Sequence, residues 1–323
     1  MPPSLTILPD PPPPPSPIGL IAGGGHLPLL IARNLRQAGH VVHGLGLYRQ
    51  FDDDLPGACT TFREVPLLRV GGWGRRLRKL GARHAIMVGR VDKASLMHDP
   101  MRLLRCVPDI PTAVGWYRHV RHDRRSSAIL AAIAEELDRN GVSLMDSTSP
   151  IPDHLATAGP MTRSRPTRQQ EADIAFVWPL LNEVLRLDVG QSIAVRDRDV
   201  LAIEAVEGAD RMIERVGQLC KASGWTLCKG ARAGHDRRSD VPTVGMRTLE
   251  ELHDAGGRCL ALAAGDVIML ERERMIEAAD RMGIALVGVP VSMASPQQYS
   301  EDEPDSGIVV LPAGVRPGAR STV

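Results

Sequence analysis

Residues Ile18 to Gly25 read IGLIAGGG, and His26 to His40 continue as HLPLLIARNLRQAGH. The first run is apolar and stops in three glycines; the second repeats its apolar positions at helical spacing. A strand, a glycine turn and a helix in that order open a parallel α/β sheet. They also aim backbone N–H groups and the positive end of a helix dipole at an anion, typically a phosphate. The turn is not the G-x-G-x-x-G dinucleotide fingerprint, because Gly23, Gly24 and Gly25 are adjacent and the sixth position is Pro28. Three glycines serve equally for a tight turn with close helix packing.

Working outward, the pattern predicts strands at Val41–Leu47, Ala85–Val88 and Val142–Met145, a basic helix at Trp73–Leu80 and a helix at Ser126–Asn140. Such alternation predicts a parallel sheet covered on both faces across residues 18–146. Gly23 to Gly25 and Gly89 to Lys93 would then lie at the carboxyl ends of strands, where such sheets bind ligands. Residues 147–168, rich in Ser, Thr, Pro and Gly, read as a linker.

A second α/β domain is expected over 169–290. Its first helix runs from Glu171 to Leu187, with Pro179 expected to kink or shorten it. A charged hairpin turns at Arg196–Asp199 and a helix opens near Gly208. Strands are predicted at Trp225–Cys228, Arg258–Ala263, Val267–Leu270 and Ile284–Val289, with helices at Thr248–Ala255 and Arg272–Met282. Residues 1–17 read as a disordered, proline-rich leader without the layout of a secretory signal, and 291–323 as a polar, Pro/Gly-rich tail.

Between the strand at Trp225 and the helix at Thr248 lies KGARAGHDRRSDVPTVG, Lys229 to Gly245. It shows no helical apolar period before Val241, yet holds Asp236, Asp240, Lys229, Arg237 and Arg238. Loops held between rigid elements are where catalytic groups concentrate, although such a loop is often only solvated surface with weak ion pairs. Glu204 sits in the apolar run LAIEAV, where a carboxylate must find a partner or stay protonated. Glu207 and Asp210 follow at a strand-to-helix junction, where Asp210 also serves the helix dipole. With Asp188, Asp236 and Asp240 they are candidates to converge on a hard divalent cation.

The 39 Lys and Arg against 38 Asp and Glu leave a net charge of +1, and aromatic residues make up 3%. Neither favours nucleic acid as a partner. The five cysteines are widely spread and lack a CxxC pair, which fits reduced thiols in a cytoplasm. No run approaches the length of a membrane span.

Several segments, in order, resemble the LpxI family, the metal-dependent UDP-2,3-diacylglucosamine pyrophosphatases of lipid A biosynthesis. They are GLIAGGGHLP (Gly19–Pro28), VGRVDKASL (Val88–Leu96), RLDVGQSIAV (Arg186–Val195), VLAIEAVEGADRMIERV (Val200–Val216), DRRSDVPTVG (Asp236–Gly245), AGDVIML (Ala264–Leu270) and AADRMGIALVGV (Ala278–Val289). The resemblance implies an N-terminal Rossmann-like parallel-sheet domain, a family-specific α/β domain, and hydrolysis of UDP-2,3-diacylglucosamine to UMP and 2,3-diacylglucosamine 1-phosphate with Mg2+ or Mn2+. DVPT matches the family's D-L-P-T motif. It implies Asp240 as the essential aspartate, with Asp236 second, and both with Glu207 and Asp210 as metal candidates. Gly23, Gly24, Gly25, Gly89, Asp123, Gln191, Lys229, Arg238 and Thr243 are the expected substrate-binding residues.

The chain departs from the family at His122-Asp123-Arg124, where G-D-D is common, at Ala209 in place of Thr, and at Ser239 where an aromatic residue is frequent. These departures motivate a second reading, a catalytically impaired UDP-sugar-binding protein. An NAD-linked oxidoreductase, suggested by the first strand and its glycines, lacks the fingerprint spacing. The implied location is cytoplasmic; peripheral contact with the inner-membrane surface and a homodimer are both compatible with the sequence.

Overall fold

The computed structural model describes residues 8–9, 11–91, 109–115, 117, 126–232, 234, 236–238 and 241–290. β1 (Pro17–Ala22) leads through the glycine turn into α1 (Leu27–Gln37) and β2 (Val41–Leu47). Then come α2 (Leu55–Ala58), β3 (Thr61–Val65), α3 (Val70–Lys79), β4 (His84–Val88), α4 (Ile110–Gly115), α5 (Ser126–Arg139) and β5 (Ser143–Leu144). The five strands pair in parallel in the order β3-β2-β1-β4-β5. The order reverses between β1 and β4, which makes their carboxyl ends the topological switch point.

β1 is apolar because both its faces are covered. Ile18, Leu20 and Ala22 pack with Ile31, Ala32 and Leu35 of α1. Ile21 belongs instead to a cluster with Trp73 and Leu77 of α3 and Leu137 of α5. β3, which the sequence did not reveal, is the edge strand of this sheet. Only Val65 of its five residues is buried, so it carries no apolar alternation.

Residues after β5 are ordered: Ile151 is buried, a 3-10 turn spans Pro152–His154, and β6 (Gly159–Pro160) joins the edge of a second sheet. α6 (Arg168–Arg186) opens on a capping box between Thr167 and Gln170. It runs on through Pro179, which does not shorten it. The proline ring costs the Ala175 carbonyl its helical partner, and Ala175 and Pro179 are both exposed, so the freed carbonyl is not shut away from solvent.

β7 (Ser192–Arg196) and β8 (Asp199–Ile203) form the expected hairpin. Asp197 and Arg198 both have positive φ, 53° and 58°, as a tight two-residue turn requires. Their amides donate to the buried Asp173 carboxylate of α6 at 3.2 and 2.7 Å. The chain continues with α7 (Ala209–Leu219), β9 (Trp225–Lys229), β10 (Thr243–Val244), α8 (Met246–Asp254), β11 (Gly257–Ala263), β12 (Ile268–Met269), α9 (Arg272–Met282) and β13 (Ala285–Val289). The second sheet has the order β6-β13-β11-β9-β7-β8; β9, β11 and β13 are parallel, while β6 and β7 run against their neighbours.

α6 covers one face of this sheet, where Val177, Trp178 and Leu181 meet Ile193, Cys228 and Ala261. α7, α8 and α9 cover the other, where Met212, Leu249 and Met275 meet Trp225, Leu227 and Leu260. The strand expected at Val267–Leu270 is not part of the six-stranded sheet: β12 pairs in parallel with β10, and its Ile268 also bridges Leu155. Ile268 packs instead into the first domain's cluster with Ile18, Leu20 and Met145, joined by Val241 and Leu270. The two domains therefore share one apolar layer.

Cys59, Cys228 and Cys259 are buried free thiols and Cys220 is partly exposed; Cys106 lies outside the described residues. Burial pushes Cys59 up to about 11 and Cys259 up to about 12, which leaves them unreactive. Among the described residues no helix is long and apolar enough to cross a membrane.

Candidate functional site

The glycine turn is built by two backbones in contact. Gly23 donates to Val88 O at 2.8 Å, and Gly24 and Arg90 exchange a pair of 2.8 Å backbone hydrogen bonds. A Cβ on Gly23 would stand 2.7 Å from Arg90 O, and one on Gly89 would stand 2.7 Å from Gly23 C. Gly89 also has φ +101°, in the region open mainly to glycine. Gly23 and Gly89 are thus required for close approach at the switch point. The amides of Gly23 and Gly24 are used within it.

The Arg90 guanidinium comes within 3.9 Å of the place a Gly25 Cβ would occupy, beside the start of α1. α1 has no side-chain cap at His26, whose ring is 3.5 Å from Asp52. A cation next to an uncapped helix start is suited to an anion. Arg90 was not among the expected binding residues, and its signal in the sequence was its place directly after Gly89 in GRVDK.

The loop after β9 leaves the carboxyl end of that strand at Lys229. Asp236 is held by Arg238 in a bidentate pair: Nη2 donates to Oδ2 at 2.6 Å and Nε to Oδ1 at 2.8 Å. The Arg238 backbone N–H adds a bond to Oδ1 at 3.1 Å. The hydrogen bond to Asp236 raises the Arg238 pKa above its ordinary value, and the more distant Asp138 charge on α5 adds to this. Asp240 lies outside the described residues, as do Asp123, Ser239 and His122-Arg124.

Arg237, one residue along, reaches in several directions at once. Its Nη2 donates to Thr148 Oγ1 at 2.8 Å and to Gly265 O at 3.2 Å. Its Nη1 donates to Asp266 at 3.4 Å, and Nε lies 3.1 Å from Asp146 Oδ2 in an ion pair whose N–H is not aimed at the oxygen. The Arg237 carbonyl accepts from Ser147 N at 2.9 Å and Ser147 Oγ at 2.8 Å.

Lys229 ends β9 and is buried. Its ammonium donates to Ser192 Oγ at 3.2 Å and stands 3.8 Å from Glu204 Oε2. Glu204, which the sequence marked as needing a partner, has found one, although that oxygen accepts no hydrogen bond. Gln191 adjoins this group, its carbonyl accepting from Gly230 N at 3.0 Å. Thr243 opens β10, with its hydroxyl donating to Val241 O at 3.2 Å.

Glu207 and Asp210 are each matched to an arginine. Glu207 is 2.7 Å from Arg215, and Asp210 at the start of α7 is 3.3 Å from Arg247 at the start of α8. Among the described residues no three His, Cys, Asp or Glu side chains come together as a metal would need. Asp236, Glu207 and Asp210 therefore do not form a ready ion cradle. The structure brings together Gly23, Gly24, Gly25 and Gly89 at one strand edge, Asp236 with Arg238 in the loop, and Lys229 with Glu204 and Gln191 beside it.

Fold and site together define a two-domain α/β protein: a Rossmann-like parallel sheet followed by a second mixed sheet, with the charged candidate residues at the carboxyl ends of strands. Residues 17–154 match the model of the LpxI N-terminal domain and residues 157–287 that of the LpxI C-terminal domain, and the chain belongs to the LpxI family. A relative from Caulobacter vibrioides, described as UDP-2,3-diacylglucosamine pyrophosphatase LpxI, is 29% identical over 285 residues, which are 84% of this chain and 97% of the relative.

Proposed function

We propose that the chain hydrolyses the pyrophosphate bond of UDP-2,3-diacylglucosamine. Water adds to one phosphorus, the bridging P–O bond breaks, and UMP and 2,3-diacylglucosamine 1-phosphate leave. The observation that carries this reading is the extent of the match. The similarity runs through both domains and takes in 97% of a relative described as that pyrophosphatase.

In this reading Asp240 is the essential carboxylate and Asp236 the second. An anionic group of the substrate meets Arg90 and the start of α1 rather than the engaged amides of Gly23 and Gly24. Arg238 supplies positive charge near the second domain's strand edge. Lys229, buried against Ser192 and Glu204, contributes to the electrostatic field of that edge from beneath the loop. Asp123, Gln191 and Thr243 complete the proposed substrate contacts. Mg2+ or Mn2+ is the proposed cofactor, with Glu207 and Asp210 as further candidate ligands. Asp236, Glu207 and Asp210 are each held by an arginine, and that arrangement does not fit a preformed ion site. The proposed location is the cytoplasm, and the lipid nature of the proposed substrate is compatible with peripheral contact at the inner-membrane surface.

The test is incubation of the purified protein with UDP-2,3-diacylglucosamine, with and without Mg2+ or Mn2+, while UMP is followed. Metal-dependent UMP release that vanishes in Asp240→Ala, with the fold intact by circular dichroism, is the expected result. Tight UDP-sugar binding without UMP from the unaltered protein would replace the proposal with the binding-protein reading.

A further inference from the structure

Arg237, in the acidic loop, has a side chain whose bonds go to both domains. Its guanidinium fork meets Asp146 and Thr148 at the end of the first domain, and Gly265 and Asp266 in the turn after β11. Its carbonyl is gripped twice by Ser147. The receiving turn is itself fixed, because Asp146 Oδ1 accepts from Thr148 N at 2.8 Å and Thr148 Oγ1 at 2.7 Å. Both the main chain and the side chain of Arg237 are therefore tied, and its sequence neighbours are Asp236 and Arg238.

We propose that Arg237 is a positioning residue that sets the Asp236–Arg238 segment against the two domains, so that the Asp236 carboxylate is presented at one place and angle. This rests on the proposed hydrolysis. A guanidinium is needed because the partners lie along different directions of its fork: two carboxylates, a hydroxyl and a carbonyl. A lysine would satisfy one of them as a point charge and leave the others. Without the arginine, Asp146 and Asp266 would both lose their cation, and repulsion between them would favour separation of the loop from the domain boundary.

The experiment compares the unaltered protein with Arg237→Ala and Arg237→Lys. It follows kcat and KM for UMP release from UDP-2,3-diacylglucosamine, and amide hydrogen exchange over residues 146–148 and 230–245. Arg237→Ala is expected to lose about 100-fold, chiefly in kcat, since misplacing a reacting group by about an ångström has that effect. Guanidinium ion added to Arg237→Ala should restore several-fold of the loss, Arg237→Lys should fall between, and amide protection should drop in both peptides. Unchanged turnover and protection in Arg237→Ala would overturn the proposal, as would a loss that tracks a lower melting temperature and is not rescued. Should Arg237→Ala fail to fold, Asp146→Asn with Thr148→Val removes two partners and is read in the same way. If the unaltered protein itself releases no UMP, the proposed hydrolysis has failed, and the exchange data alone decide whether Arg237 positions the loop.

Discussion

The switch point of the first sheet and the acidic loop of the second are organised by different forces. At the switch point backbone meets backbone: Gly23 against Gly89, and Gly24 paired with Arg90 at 2.8 Å both ways. In the acidic loop, side chains of opposite charge hold the chain: Arg238 on Asp236, and Arg237 on Asp146 and Asp266. A backbone contact tolerates no added atom, whereas a partly exposed ion pair can open and close at little cost. The first region is a fixed platform; in the second, Arg237 ties the loop to both domains while the Asp236–Arg238 pair can open when something better than arginine arrives.

The sharpest way to break that contrast is Gly89→Ala. The new Cβ would stand 2.7 Å from Gly23 C, on a residue with φ +101°, so overpacking and backbone strain add to about 3 kcal/mol or more. Gly57→Ala is the control: nothing lies within 4 Å of its Cβ position, and the change should be neutral or stabilising by under about 1 kcal/mol. Urea denaturation of both variants measures the difference. A Gly89→Ala protein as stable as Gly57→Ala would mean that the switch point gives way as freely as the loop.

Lys229 tests the boundary between the two regimes, since it is a charged side chain in a nearly closed place. Its side chain is 6% exposed and Glu204's 12%. Lys229→Ala leaves the Glu204 carboxylate without its cation, and the loss is expected at about 2 kcal/mol, below the range for fully closed pairs because Glu204 keeps some access to water. Replacing both with methionine should recover part of the loss, read from the same urea titrations. If Lys229→Ala with Glu204→Gln were additive, the two groups would not be coupled.

These differences also explain what the sequence could tell. Local period and turn chemistry were enough for β2 at Val41–Leu47 and α9 at Arg272–Met282, and for the hairpin with Asp197 and Arg198 at its tip. The close approach behind Gly23 to Gly25 was legible as one of two meanings, because adjacent glycines signal either backbone contact or an anion. β3 was not legible because an edge strand with one buried residue has no apolar alternation. The pairing of β10 with β12 was hidden because two-residue ladders leave no period. The loop's residue types were visible, but its partners were not. Arg237 reaches Thr148 across 89 positions and Asp266 across 29, and no spacing rule connects those residues. Glu204 marked itself as needing a cation, and only the fold could name Lys229.

The smallest expected effect is on the stability of Asp236→Asn. Asp236 is 34% exposed and Arg238 18%, so water already screens much of their attraction, and the loss should stay below about 1 kcal/mol. Asparagine keeps one oxygen to accept from Arg238 and loses the charge. The Arg238 pKa is raised by this hydrogen bond above its ordinary value. Its contribution is therefore fully present below the unfolded arginine's pKa and is lost only above it, so thermal melts between pH 6 and 9 should show no slope from Arg238. Under the proposed hydrolysis, activity should respond far more than stability, because a carboxylate can bind an ion or orient water and an amide does so poorly. A loss of UMP release by about 100-fold or more, beside a melting temperature nearly unchanged, would show that the pair serves the reaction rather than the fold. A large drop in melting temperature with little change in turnover would make the Asp236–Arg238 pair a structural clasp, and the loop would then be as rigid in purpose as the glycine turn.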